Sequence, residues 1–221
     1  MLSLVRIGAL SKATTRFASV GNIRYASDKV SKEHISQEDI NNLPVRFDDI
    51  VRAHHKIRSG VSKTDCRYSK IFSELCDANV YLKMDLNLVT GSFKERGARN
   101  ALMNLTDEEK KHGVISASAG NHALAMAYHG RDLGIPVTVV MPKIAPLTKI
   151  NRCRTYGADV ILHGEHIGEA REYAYAKHPT LKYINGYNDV EIVAGAGTMG
   201  IEILEQVPDV DVVICPVGGG G

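Results

Sequence analysis

The chain has 221 residues, 44% hydrophobic and 24% charged, with a formal net charge of +2. That make-up suits a globular chain of one large or two small domains, and it excludes a disordered acidic tail or a polybasic arm for nucleic acid. No apolar run approaches the roughly twenty residues of a membrane span, and Cys66, Cys76, Cys153 and Cys215 lie far apart without a C-x-x-C pair, which argues for reduced thiols rather than a zinc cage or disulfide framework.

In chain order, residues 1–28 come first. Arg6, Lys12, Arg16 and Arg24 precede any acid, in a stretch rich in Ser, Thr and Ala, and this is the composition of a mitochondrial transit peptide. Ile50, Ala53 and Ile57 then fall at helical spacing and predict an amphipathic helix from about Phe47 to Arg58. His54 and His55 are neighbours on it, so they face different directions and do not share a metal. Asn79 to Met84 reads as a strand. It leads into Thr90-Gly91-Ser92-Phe93-Lys94, a small-residue turn that places Lys94 at the start of a helix running to about Leu105.

Strict alternation follows. The capping box Thr106-Asp107-Glu108-Glu109 opens a short helix that Gly113 closes. Strand Val114–Ser116, helix Asn121–Leu133, strand Val137–Val140, helix Pro146–Tyr156, strand Asp159–Leu162, helix Ile167–Lys177 and strand Tyr183-Ile184 come next, then a helix from about Gly197 to Gln206 and a strand over Val210–Cys215. Helices interleaved with β-branched strands predict parallel pairing in an α/β layered fold.

Three features carry the chemistry. Lys94 sits where a strand-to-helix turn can present an amine to a cleft at the sheet's carboxyl end. Ser116-Ala117-Ser118-Ala119-Gly120-Asn121-His122 joins a strand to a helix amino terminus, with hydroxyls and free N–H groups suited to a carboxylate or a hydroxylated ring. Gly218 to Gly221 follow a buried strand, and backbone N–H groups without side chains form a cradle for phosphate. Gly195-Ala196-Gly197-Thr198-Met199-Gly200 matches a dinucleotide fingerprint literally, but no β-branched strand leads into it, and no Gly-Lys-Ser or Gly-Lys-Thr ends a glycine run. A lysine able to form a Schiff base, a carboxylate loop and a phosphate cradle together suggest pyridoxal 5'-phosphate.

Those three motifs, with Val139-Val140-Met141-Pro142 and Asn185-Gly186-Tyr187, resemble the fold-type II pyridoxal phosphate enzymes, and within them the threonine and serine dehydratases, over about Ile50 to Gly221. The resemblance implies a tryptophan synthase β-like α/β fold in two lobes. A large lobe would come from 29–113 and 185–221, cut short after the glycine run, and a small lobe from 114–184. It implies that Lys94 joins the coenzyme covalently and Phe93 packs by its ring. Asn121 would bond the ring hydroxyl, Ser118, Gly120 and His122 would hold the substrate carboxylate, and Gly218, Gly219, Gly220 and Gly221 would hold the phosphate. The implied reaction converts L-threonine to 2-oxobutanoate, or L-serine to pyruvate, with release of ammonia, in a homo-oligomer when full length. Ala119 stands where related racemases carry a serine base, which favours dehydration over racemisation. A third reading is a truncated remnant without catalysis, since the family continues past the glycine loop, and these 221 residues alone are expected to bind coenzyme poorly. Thr64-Asp65, Ala196 and Asp85 to Val89 depart from the family pattern and bear on specificity.

Overall fold

The computed structural model describes residues 2–6 and 42–217. Its strands are β1 (Leu2–Arg6), β2 (Cys66–Tyr68), β3 (Tyr81–Lys83), β4 (Val114–Ala117), β5 (Val137–Met141), β6 (Asp159–Leu162), β7 (Lys182–Tyr183) and β8 (Val212–Pro216). Its helices are α1 (Phe47–Ile57), α2 (Lys70–Cys76), α3 (Lys94–Met103), α4 (Asp107–His112), α5 (Asn121–Leu133), α6 (Leu147–Thr155), α7 (Ile167–Lys177) and α8 (Val190–Gln206), with a 3-10 turn at Asp85–Asn87. The glycine run Gly218–Gly221 and most of the transit-like stretch lie outside the described residues. Among the described residues no helix is long and apolar enough to cross a membrane.

The central sheet is parallel, in the order β6-β5-β4-β7. Alternation along the strands splits its two faces. Val114, Val139 and Met141 point into a core with Ala123, Leu124, Ile150 and Cys153 of α5 and α6, while Ile115 and Val140 meet Ala170 and Ala174 of α7 on the other face. From β4 the chain moves outward through β5 to β6, then returns to lay β7 on β4's other side. The carboxyl end of β4 is therefore a topological switch point, where the loops after β4 and β7 part and leave a crevice.

Two strand pairs depart from the all-parallel expectation. β3 pairs antiparallel with β2, and β8 pairs antiparallel with β1, which lies inside the stretch read as a transit peptide. β2, α2 and the 3-10 turn escape periodicity because each spans seven residues or fewer. α8 begins at Val190, seven residues before the expected start, with Asp189 capping it by accepting from the Glu191 N–H at 3.0 Å.

The fingerprint-like glycines explain that early start. They lie in the body of α8; the missing side chain of Gly195 lets it meet α3 backbone to backbone, while Gly197 faces Ile50 of α1 and nothing stands within 4 Å of a Cβ at Gly200. A Cβ on Gly195 would stand 2.5 Å from the Arg96 carbonyl oxygen, and one on Gly97 would stand 2.7 Å from that of Ile192. Tertiary contact outweighs glycine's poor helix propensity here. Gly195→Ala is expected to cost about 1–3 kcal/mol through overpacking. Urea unfolding would check it, and an unchanged midpoint would show that the helices can part cheaply.

Behind this crossing lies a buried ionic cluster. Arg96 is fully buried, and its guanidinium donates to Asp85 at 2.8 and 3.0 Å, to Glu202 at 2.7 and 2.8 Å and to the Thr198 hydroxyl at 3.2 Å. Lys83 donates to Glu202 and to the Thr64 carbonyl, each at 2.6 Å, and to Gln206 at 2.9 Å. Two cations thus face two anions, joining β3, the 3-10 turn, α3 and α8.

Candidate active site

Lys94 opens α3 directly after the turn Thr90–Phe93, in which Gly91 takes a left-handed φ of 81°. Two contacts brace the turn: Lys94 N–H donates to the Ser92 hydroxyl at 3.3 Å, and the buried Glu95 carboxylate accepts the Thr90 N–H. Glu95 also lies 3.4 Å from His129 of α5. His129 Nδ1 in turn stands 3.2 Å from the Arg99 guanidinium, which can only donate to it.

The Lys94 amine is half-buried. It donates to the Gly186 carbonyl at 2.6 Å and lies 5.1 Å from the Phe93 ring centroid and 5.0 Å from that of Tyr187. Burial lowers its pKa below the ordinary lysine value and so favours the neutral amine.

Gly186 belongs to the loop after β7, where Asn185 accepts from the N–H groups of Tyr187 and Asn188 and folds the chain into a tight turn. Gly186 is wedged between the lysine and His122, since a Cβ there would stand 2.7 Å from the imidazole. The His122 ring is buried, and neither of its nitrogens has a hydrogen-bond partner. Burial, reinforced by the Lys94 charge, pushes its pKa down to about 4, so it is neutral at physiological pH. Lys94 of α3 and His122 of α5 thus meet across one glycine at the switch-point crevice.

The rest of the β4 loop flanks them. Ser118 accepts from the Gly120 N–H at 3.3 Å, and nothing stands within 4 Å of where a Gly120 side chain would begin, so this backbone faces open space. Asn121 is the first residue of α5, and its side-chain oxygen accepts from Lys149 at 2.8 Å. Of the residues expected at a coenzyme site, Phe93, Lys94, Ser118, Gly120, Asn121 and His122 all lie on the two strand-to-helix turns at this crevice, while Gly218 to Gly221 lie outside the described residues. Gly186, Tyr187 and Lys149 were not foreseen as site residues. Their signal is tertiary, although Asn185-Gly186-Tyr187 is one of the segments that carry the family resemblance.

The donor set fits pyridoxal phosphate on the structure's own terms. A desolvated lysine can be neutral and nucleophilic. Beside it stand an aromatic face, an orphaned buried imidazole and the free N–H groups of a 13-residue helix, which favour an anion.

Comparison with known proteins points the same way. The family model described as pyridoxal-phosphate dependent enzyme matches residues 57–221. An L-threonine ammonia-lyase of Thermotoga maritima is 45% identical over 179 residues, which cover 80% of this chain and 45% of that protein. Among solved structures, serine racemase from Dictyostelium discoideum aligns with a TM-score of 0.71 at 32% identity, over 76% of this chain and 55% of the racemase. The processed form of threonine deaminase isoform 2 from Solanum lycopersicum aligns with a TM-score of 0.67 at 34% identity, over 74% of this chain and 47% of that one. The chain spans about half the length of the relatives it matches.

Proposed function

The chain belongs to the pyridoxal-phosphate dependent enzymes, and from that premise we propose that the protein containing it deaminates L-threonine, and L-serine as a second substrate, to a 2-oxo acid and ammonia. The observation that carries this reading is the half-buried Lys94 amine, held between two aromatic rings and separated by Gly186 from an unpartnered neutral histidine. The 45% identity to an L-threonine ammonia-lyase supports the lyase reaction.

When bound, the coenzyme supplies the electron sink that loss of the substrate α-proton requires. The protein's own residues do the remainder. Lys94 would hold the coenzyme covalently and, as a neutral amine, would accept the α-proton, and burial keeps that neutral form accessible. The Gly186 carbonyl and the Tyr187 ring hold the amine near the crevice instead of letting it swing into solvent. His122 can donate one ring N–H to the substrate carboxylate, and the hydroxyl of Ser118 and the N–H groups at the start of α5 add further donors. Gly120 leaves room for the anion to approach the backbone. The site residues that would hold the coenzyme are Phe93, Lys94 and Asn121, with the phosphate assigned to Gly218–Gly221. Ala119 offers no group that can carry a proton to the opposite face, which supports elimination over inversion.

Assembly as a homo-oligomer is part of this proposal, as is delivery to mitochondria, which the basic, acid-poor stretch from Met1 to Ser27 supports. The test is to incubate the full-length protein with each amino acid and follow ammonia and 2-oxo acid together. Equal amounts of both are expected from threonine. D-serine formed from L-serine without ammonia would replace the lyase reading with a racemase one.

A further inference from the structure

Resting on the coenzyme reading above, we infer that Lys149 is a positioning residue for the coenzyme, fixing which way the side-chain amide of Asn121 faces. A carboxamide is nearly symmetric in shape, so only its hydrogen-bond partners decide which end carries the oxygen and which the NH2. Lys149 settles the matter at this site. Its ammonium has three donors and no acceptor, and it stands 2.8 Å from Asn121, so the amide oxygen faces α6 and the NH2 group is left on the other side. Among the described residues that NH2 group has no partner, and at the start of α5 it is available to donate to the oxygen on the coenzyme ring.

The contact is exposed to solvent, and what anchors it is the backbone that carries Lys149. This residue lies in the first turn of α6, where its N–H donates to the Pro146 carbonyl at 2.9 Å, and its neighbours Ile150 and Cys153 are buried against the sheet. The contact also bridges the first turns of α5 and α6, at residues 28 apart in sequence. An amide turned the other way would present its oxygen to the ring oxygen, two acceptors facing each other.

Inverting the charge tests this, because a carboxylate at position 149 would accept from the Asn121 NH2 and turn the amide round. Coenzyme affinity is measured by titrating pyridoxal 5'-phosphate into the full-length apoprotein and following the visible absorbance band, with thermal unfolding as the folding control. Lys149→Arg should bind like the native protein. Lys149→Met frees the amide to adopt either orientation and should weaken binding about twofold, in proportion to the competent fraction lost. Lys149→Glu should weaken it by roughly tenfold, on the scale of one hydrogen bond inverted. In an Asn121→Ala background the Lys149→Glu effect should shrink to less than about twofold, because the amide through which it acts is gone. A native-like affinity for Lys149→Glu, or a tenfold loss that persists without the Asn121 amide, overturns the inference while leaving the coenzyme reading intact. A native protein that develops no absorbance band on titration sinks that reading, and the inference with it.

Discussion

Lys94→Ala is expected to abolish covalent capture of the coenzyme and to lower ammonia release from threonine by at least about 10^2–10^4-fold, the range that one positioned proton acceptor contributes. The protein should still fold. The lysine side chain makes a single hydrogen bond, to a backbone carbonyl, so its loss leaves no charge buried without a partner. The check is borohydride reduction of the holoenzyme followed by peptide mapping. The coenzyme mass should appear on the peptide containing Lys94 in the native protein and nowhere in the variant, at equal melting temperatures. A tag found on Lys83 or Lys149 instead would remove Lys94 from its place in the mechanism.

The second large effect concerns stability. Arg96→Met should cost about 3–5 kcal/mol, because Asp85 and Glu202 would then share a buried site with Lys83 as their remaining cation. In the native protein the hydrogen bonds and charge of Arg96, with those of Thr64 and Lys83, outweigh desolvation and hold both carboxyls below their ordinary values. A folded-state pKa that is depressed means stability present at neutral pH and lost as pH falls through and below about 4. In the variant the balance reverses, since burial without the guanidinium raises at least one carboxyl above its unfolded value. Protonation then relieves the folded state, so the stability gap between native and variant should narrow between neutral pH and about pH 5. Urea midpoints at a series of pH values test this, and a gap of constant size would mean that packing, not charge, dominates the loss.

How far these features can be seen in the sequence varies with their range. α5, β6 and α7 have the limits their periodicity predicts, and the Thr106 to Glu109 capping box opens α4 as its pattern requires. Local chemistry suffices there. Gly134, for example, takes a left-handed φ of 69° just past the last residue of α5. The start of α8 escapes local reading because Gly195, which weakens an isolated helix, becomes an advantage only against α3, and nothing local shows that it will face Gly97. The crevice divides in the same way. Lys94 and the Ser118–His122 loop can be read from their place between strand and helix, whereas Gly186 and Tyr187 join them because β7 returns beside β4. The partner of Asn121 depends on where α6 settles. Arg96 and Glu202, a fully satisfied pair, are 106 residues apart and look like ordinary surface charges until the helices cross.

The separation of those four charges also bears on biosynthesis. Lys83, Asp85 and Arg96 leave the ribosome more than a hundred residues before Glu202, and until then Arg96 and Lys83 have one carboxylate, Asp85, between them. A nascent chain in that state carries a surplus positive charge that cannot be buried, so the layer formed by α3 and α8 has to close late. The parallel sheet between β4 and β7 lies wholly within the intervening residues and can form first. Ribosome-stalled chains ending before Glu202 should accordingly protect the sheet from protease while leaving the segment around Lys94 open to cleavage.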